Sequence, residues 1–175
     1  VVRCRKGEQM ISYSQSGQDL YAFEKSNQKT NGFYIEIGAF HPIENSNSYM
    51  LEELGWKGIS FEISDITDLW YSKRKNKLIV CDATSFDFLN CFNQNNVPNQ
   101  IDYLSLDIDG ETLNCLKKLP LSQFRFKSIT IEHDEYHRGS SMKNEIRDIL
   151  LGNGYSLDRP DVSSNNLIYE DWWTG

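Results

Sequence analysis

Basic residues are in the minority in this chain, and glycine never recurs at short intervals. Lysine and arginine number 18 against 25 acids, for a formal charge of −7. Attachment to a phosphate backbone needs the opposite balance, so no nucleic-acid partner is expected. The 11 glycines are dispersed. Without a G-x-G-x-x-G or a Walker-type lysine, the backbone has no cradle for a pyrophosphate. Cys4, Cys81, Cys91 and Cys115 form no C-x-x-C pair, which argues against zinc and dithiol chemistry. Cys81 and Cys115 sit in apolar contexts and read as small core residues. No apolar run is long enough to span a membrane. The basic N-terminus, VVRCRKGEQM, has no apolar stretch behind it and is not a signal peptide. A reducing, cytoplasmic setting is expected.

What remains is a chain of 175 residues, enough for one well-buried domain over 1–175. It starts without Met and stops at Trp172-Trp173-Thr174-Gly175, as a domain cut from a longer polypeptide would. Other domains of that polypeptide are then expected partners.

Five short apolar runs alternate with amphipathic segments. The strands are expected at Phe33–Ala39, Gly58–Ile63, Lys77–Cys81, Ile101–Ile108 and Lys127–Ile131. A helix around Gln18–Lys25 precedes the first. Others are expected after caps at Asn45–Ser48, Asp65, Thr84-Ser85 and Ser140-Ser141, and from Glu111 to Pro120. Lys73-Arg74-Lys75 reads as a solvated helix end. Tyr155–Leu157 and Asn166–Tyr169 have no helix between them and suggest an antiparallel pair. The order predicts an α/β fold: a doubly wound, mostly parallel sheet covered by helices on both faces, with a C-terminal antiparallel hairpin.

An acid closes each of the first five strands: Glu36, Glu62, Asp82, Asp107 and Glu132. Open parallel sheets bind ligands outside these strand ends. The segment FYIEIGAFHPIENSN at 33–47 is a strand, a turn at Gly38 and a capping-rich loop. A ligand without phosphates suits it, and S-adenosylmethionine is one. Its ammonium prefers carboxylates, and its carboxylate suits the helix N-terminus near Ser46-Asn47. Its ribose suits Glu62, and its adenine suits Asp82 and the Ala83 N–H. Asp82 also reads as a helix cap, with the adenine contact preferred.

The sequence resembles the FkbM-type S-adenosylmethionine-dependent methyltransferases. The matching pieces are SQSGQD (14–19), NGFYIEIGAF (31–40), SNSYMLEELGWKGISFE (46–62), IDYLSLDIDGE (101–111), ITIEHD (129–134), GYSL (154–157) and LIYED (167–171). It departs from the family pattern at His41-Pro42 and at Asp109, where glutamate is usual. The resemblance implies the Rossmann-like methyltransferase version of this fold, and methyl transfer to oxygen, commonly a hydroxyl of a sugar or glycan. It implies cofactor contacts at Glu36, Gly38, Ala39, Ser46, Asn47, Glu62, Asp82, Ala83 and Asp107. Gln15, Gly17, Gln18 and Asp19 would form a lid over the cofactor.

A sugar hydroxyl is weakly acidic, so its methylation needs a base or a metal. Asp109 and His133 are the candidate bases beside Asp107. Asp107 and Glu132 could share Mg²⁺ or Mn²⁺ through oxygen ligands. The competing reading has Asp107 on the cofactor and Glu132 paired with a cation, without metal. His41 and His137 lie in loops near the same rim. Tyr169, Trp172 and Trp173 would either stack on a sugar or pack the C-terminus. A non-sugar metabolite as acceptor, or a cofactor-binding module without catalysis, remain the alternatives.

Overall fold

The computed structural model describes residues 10–175; Cys4 lies outside them. The chain runs α1 (Gln18–Lys25), β1 (Phe33–Ile37), α2 (Tyr49–Glu53), β2 (Lys57–Glu62), α3 (Thr67–Lys73), β3 (Lys77–Val80), α4 (Phe88–Gln94) and β4 (Gln100–Leu106). A 3-10 turn at Asp109–Glu111 leads into α5 (Thr112–Leu116). Then follow β5 (Arg125–Glu132), α6 (Glu135–Arg138), α7 (Ser140–Gly152), β6 (Ser156–Ser164) and β7 (Leu167–Thr174). The seven strands form one sheet in the order β3-β2-β1-β4-β5-β7-β6. β1 to β5 are parallel, while β7 inserts antiparallel between β5 and β6. The strand order reverses between β1 and β4, so the crevice for a ligand lies outside their carboxyl ends.

Strand pleating sends alternate residues to opposite faces. Ile35, Ile37, Leu104, Leu106, Ile129 and Ile131 pack with Phe88, Phe92, Leu116, Ile146 and Leu150 of α4, α5 and α7. Tyr34 and Tyr103 face the other way, onto Ala22, Phe23, Met50 and Leu51 of α1 and α2. Trp70 of α3 packs beside Leu78 and Ala39.

The terminal hairpin is far longer than the short strands expected from 155–157 and 166–169. SLDRPDVSS is mostly exposed and polar because β6 is an edge strand. Pro160 is tolerated there for the same reason. Trp173 and Trp172 are buried against β5 and α1, so the late aromatics pack the C-terminus and are not free to stack on a sugar.

Some expected caps differ as well. Asp87, not Thr84 or Ser85, accepts the Asn90 N–H at the start of α4. Gly139 precedes α7 without any side-chain cap. The segment 111–120 is a 3-10 turn followed by one short helix rather than a continuous one.

Candidate functional site

A cavity of about 480 Å³ opens at the switch point, over the carboxyl ends of the parallel strands. Its geometry begins at Gly38, where the chain leaves β1 with φ of 88°. A Cβ there would lie 1.6 Å from the Asp107 carbonyl oxygen. Only glycine therefore lets the loops after β1 and β4 close on one another. Glu62 ends β2 on the cavity wall. Its two oxygens accept the N–H groups of Phe40 (2.8 Å) and Ser64 (3.0 Å), which aim the carboxylate while leaving lone pairs for a ligand. Asp82 and Ala83 follow β3 on the same wall. Hydrogen bonds from the Thr84 hydroxyl (2.7 Å) and N–H (2.9 Å) hold the Asp82 carboxyl below its ordinary range. Asp82 thus organises its own turn and also faces the cavity.

Asn47 reaches the cavity from the loop before α2. Its Nδ2 donates to Ser105 Oγ at 2.9 Å, while its Oδ1 is buried with no partner. A buried acceptor without a donor is costly, and a ligand N–H would relieve it. Gln15 and Gln18 line the cavity from the N-terminal side. Asp19 lies behind them, accepting from Ser12 Oγ (2.6 Å), Ser14 Oγ (2.8 Å) and the Tyr13 N–H (2.8 Å). It shapes the segment without facing the cavity. Gly17, in the left-handed region, starts α1.

Five of the expected site residues are placed away from the lining besides Asp19: Gly17, Glu36, Ala39, Ser46 and His133. The reason at Glu36 is its register. It is the next-to-last residue of β1, aligned with Ser60 and Ser105, so the pleat turns its side chain under α2 and α3 instead of over the rim. There it accepts from Ser60 Oγ (2.7 Å) and Ser48 Oγ (2.8 Å), and is fully buried. Burial lifts its carboxyl, and the positive charge of Arg74 opposes the rise. His133 likewise alternates with Glu132. Its ring is buried, with Nε2 3.7 Å from Asp171 Oδ1 and Nδ1 accepting the Glu135 N–H. The expected base at 133 is therefore turned away from the cavity. His41 Nδ1 accepts the N–H groups of Ile43 and Glu44 and folds its own loop.

Asp107, Asp109, Glu111 and Glu132 gather on the opposite wall. Asp107 and Glu132 are neighbouring buried acids whose ionisations oppose one another. Burial raises Asp107, and burial together with the Asp107 charge pushes Glu132 up to about 10. Among the described residues no lysine or arginine pairs with Glu132, contrary to the metal-free reading in which a cation balances it. Asp109 has φ of 52° and donates its N–H to Glu132 Oε2 at 3.1 Å. Asp109, Glu132 and Asp134 each offer an oxygen within 4.8 Å of the others. That hard-oxygen donor set fits Mg²⁺ or Mn²⁺, with Asp134 joining where the pair Asp107 and Glu132 was expected.

One residue of the surroundings escaped the sequence reading, and another was read there as part of a solvated helix end. Glu170, fully buried on β7, accepts from Gln18 Nε2 (3.0 Å) and Trp172 Nε1 (2.6 Å), and burial pushes its carboxyl up to about 8. Only its place within LIYED hinted at a role. Arg74 is the other: it is 2 % exposed, whereas the lysines on either side are solvated.

Residues 70–157 match the methyltransferase FkbM domain. The chain belongs to the FkbM methyltransferase family. This places it among S-adenosylmethionine-dependent methyltransferases. An O-methyltransferase from Bacillus cereus, solved with S-adenosylhomocysteine, is similar in fold, with a TM-score of 0.61 at 14 % identity. The match covers 94 % of this chain and 80 % of that one. A TehB-like S-adenosylmethionine-dependent methyltransferase from Corynebacterium glutamicum gives a TM-score of 0.59 at 8 % identity, covering 90 % and 86 %. No curated protein sequence matches the chain. Among the described residues no helix is long and apolar enough to cross a membrane.

Proposed function

We propose that this FkbM-family chain transfers a methyl group from S-adenosylmethionine to a hydroxyl of a sugar or glycan. The observation that carries the reading is the two-sided cavity. One wall presents Gly38, Asn47, Glu62, Asp82 and Ala83, matched to the cofactor's amino acid, ribose and adenine. The other presents Asp107, Asp109, Glu111 and Glu132, acceptors suited to the hydroxyls of a carbohydrate. The acceptor oxygen attacks the methyl carbon in line with the sulfur. The O–C bond forms as the C–S bond breaks, its electron pair staying on sulfur to leave S-adenosylhomocysteine. Asp109 receives the hydroxyl proton. Holding oxygen, carbon and sulfur collinear supplies much of the rate.

Where a divalent ion is bound, Asp109, Glu132 and Asp134 would hold it, and it would acidify the hydroxyl. Methyl transfer onto a panel of neutral sugars, their phosphates and non-sugar hydroxy metabolites, read by mass, tests the assignment. Neutral sugars should lead, because no lysine or arginine lines the cavity among the described residues to receive a phosphate. Transfer confined to the non-sugar members would overturn the carbohydrate assignment. No transfer to any member, with cofactor bound, would favour a binding module. A rate unchanged by chelation would remove the metal.

A further inference from the structure

We infer that Arg74 is a positioning residue for the cofactor: buried outside the cavity, it fixes the loop that carries Asn45 and Asn47 into it. This rests on the cofactor reading of the cavity given above. A guanidinium has five N–H donors in a rigid fork, and here all five are used. Nε donates to Glu52 Oε2 at 2.5 Å. One terminal nitrogen donates to the Pro42 carbonyl (2.9 Å) and Ser46 Oγ (3.3 Å). The other donates to the Tyr34 hydroxyl (2.8 Å) and Ser48 Oγ (2.8 Å). The group also lies over the Trp70 ring, 4.4 Å from its centre.

These partners explain why the arginine is where it is. Pro42, Ser46 and Ser48 span the loop between β1 and α2, and Asn45 and Asn47 of the same loop face the cavity. Ser46 Oγ, held by Arg74, accepts the Tyr49 N–H at 3.1 Å and so sets the start of α2. Ser48 Oγ passes from Arg74 to Glu36 Oε2 at 2.8 Å, linking the cation to a buried acid. Asn45 sits at φ of 53°, a backbone conformation that the surrounding contacts must maintain. Pro42 is the one buried apolar residue between Phe40 and Ser48, and Glu44 and Asn45 are exposed, so polar contacts must hold much of the loop's shape. Lysine, with three donors on a flexible stem, cannot span the same set.

The experiment is a titration of the intact protein with S-adenosylhomocysteine, comparing wild type, Arg74→Lys, and Ile146→Ala as a control. Ile146 is buried in α7, on the far side of the sheet, and its truncation lowers stability without touching the loop. Loss of two or more hydrogen bonds from a charged group predicts that Arg74→Lys weakens binding about tenfold or more. Ile146→Ala should stay within about twofold of wild type at temperatures where it is folded. In an Asn47→Ala background the same Arg74→Lys change should cost much less, because the contact it positions is already gone. A purely structural role would leave that second loss undiminished. If Arg74→Lys does not fold, Ser48→Ala removes one arm of the linkage, and about a threefold loss is expected. Wild-type affinity in Arg74→Lys, or in Ser48→Ala where that variant stands in, overturns the inference. Failure of the wild type to bind overturns the cofactor reading instead.

Discussion

Replacing Glu132 with glutamine should stabilise the fold, increasingly so as the pH rises. Glu132 is 8 % exposed, and burial followed by the Asp107 charge pushes its carboxyl up to about 10. In the unfolded chain a glutamate titrates near ~4.3. Between these values the native state keeps a proton that the unfolded chain has released. Stability therefore falls as pH rises through this window, by up to about 1.4 kcal/mol per pH unit for one retained proton. It levels off only as the native pair itself ionises. The glutamine has no proton to release, and its amide can still donate to Asp107. Urea unfolding with a chelator present, at pH 6, 7 and 8, should show the variant gaining on wild type with each unit, by on the order of 1 kcal/mol. Methyl transfer should fall in the same variant, since glutamine at 132 can neither ionise nor exchange a proton at the site. A gap that is flat or shrinks with pH refutes the raised carboxyl of Glu132.

Three further outcomes follow from contacts already described. Gly38→Ala should destabilise the protein by more than about 1 kcal/mol and weaken S-adenosylhomocysteine, because the added methyl meets the Asp107 carbonyl and φ is positive; chemical denaturation and calorimetry read the two effects. Glu62→Ala should leave unfolding nearly unchanged while lowering affinity for the same ligand by roughly 10- to 100-fold, the worth of charge-assisted bonds to ribose; equal affinity would place the ribose elsewhere. Trp173→Ala, at a fully buried position on β7, should cost about 3–5 kcal/mol in denaturant unfolding.

Much of the fold was legible because its central strands are apolar runs that stop at acids. FYIEI, GISFE and YLSL announce β1, β2 and β4 by composition alone, and the parallel order follows from the helices between them. The hairpin was seen but underestimated. An edge strand such as SLDRPDVSS has no apolar face to advertise it and is held by pairing with β7. α6, a four-residue helix after Asp134, is too short to carry a period.

For the site, the acids at 62, 82, 107 and 132 line the cavity, while Glu36 and His133 do not. Glu36 lies inside β1, where the pleat turns it to the sheet's side; His133, just past β5, is turned inward, with Nδ1 on the Glu135 N–H and Nε2 towards Asp171. Arg74 was illegible for another reason. Between two lysines it has the local signature of a solvated helix end. Its partners Tyr34, Pro42 and Ser46 lie some 28 to 40 residues earlier, where no spacing rule reaches.

Every functional role assigned above depends on the cavity between β1 and β4 holding S-adenosylmethionine. Calorimetric titration of the wild-type protein with S-adenosylhomocysteine tests it most directly. One site per chain is expected, with a dissociation constant in the range of about 1 μM to 1 mM, weakened by Glu62→Ala. No binding at millimolar ligand, or binding indifferent to Glu62, would contradict it.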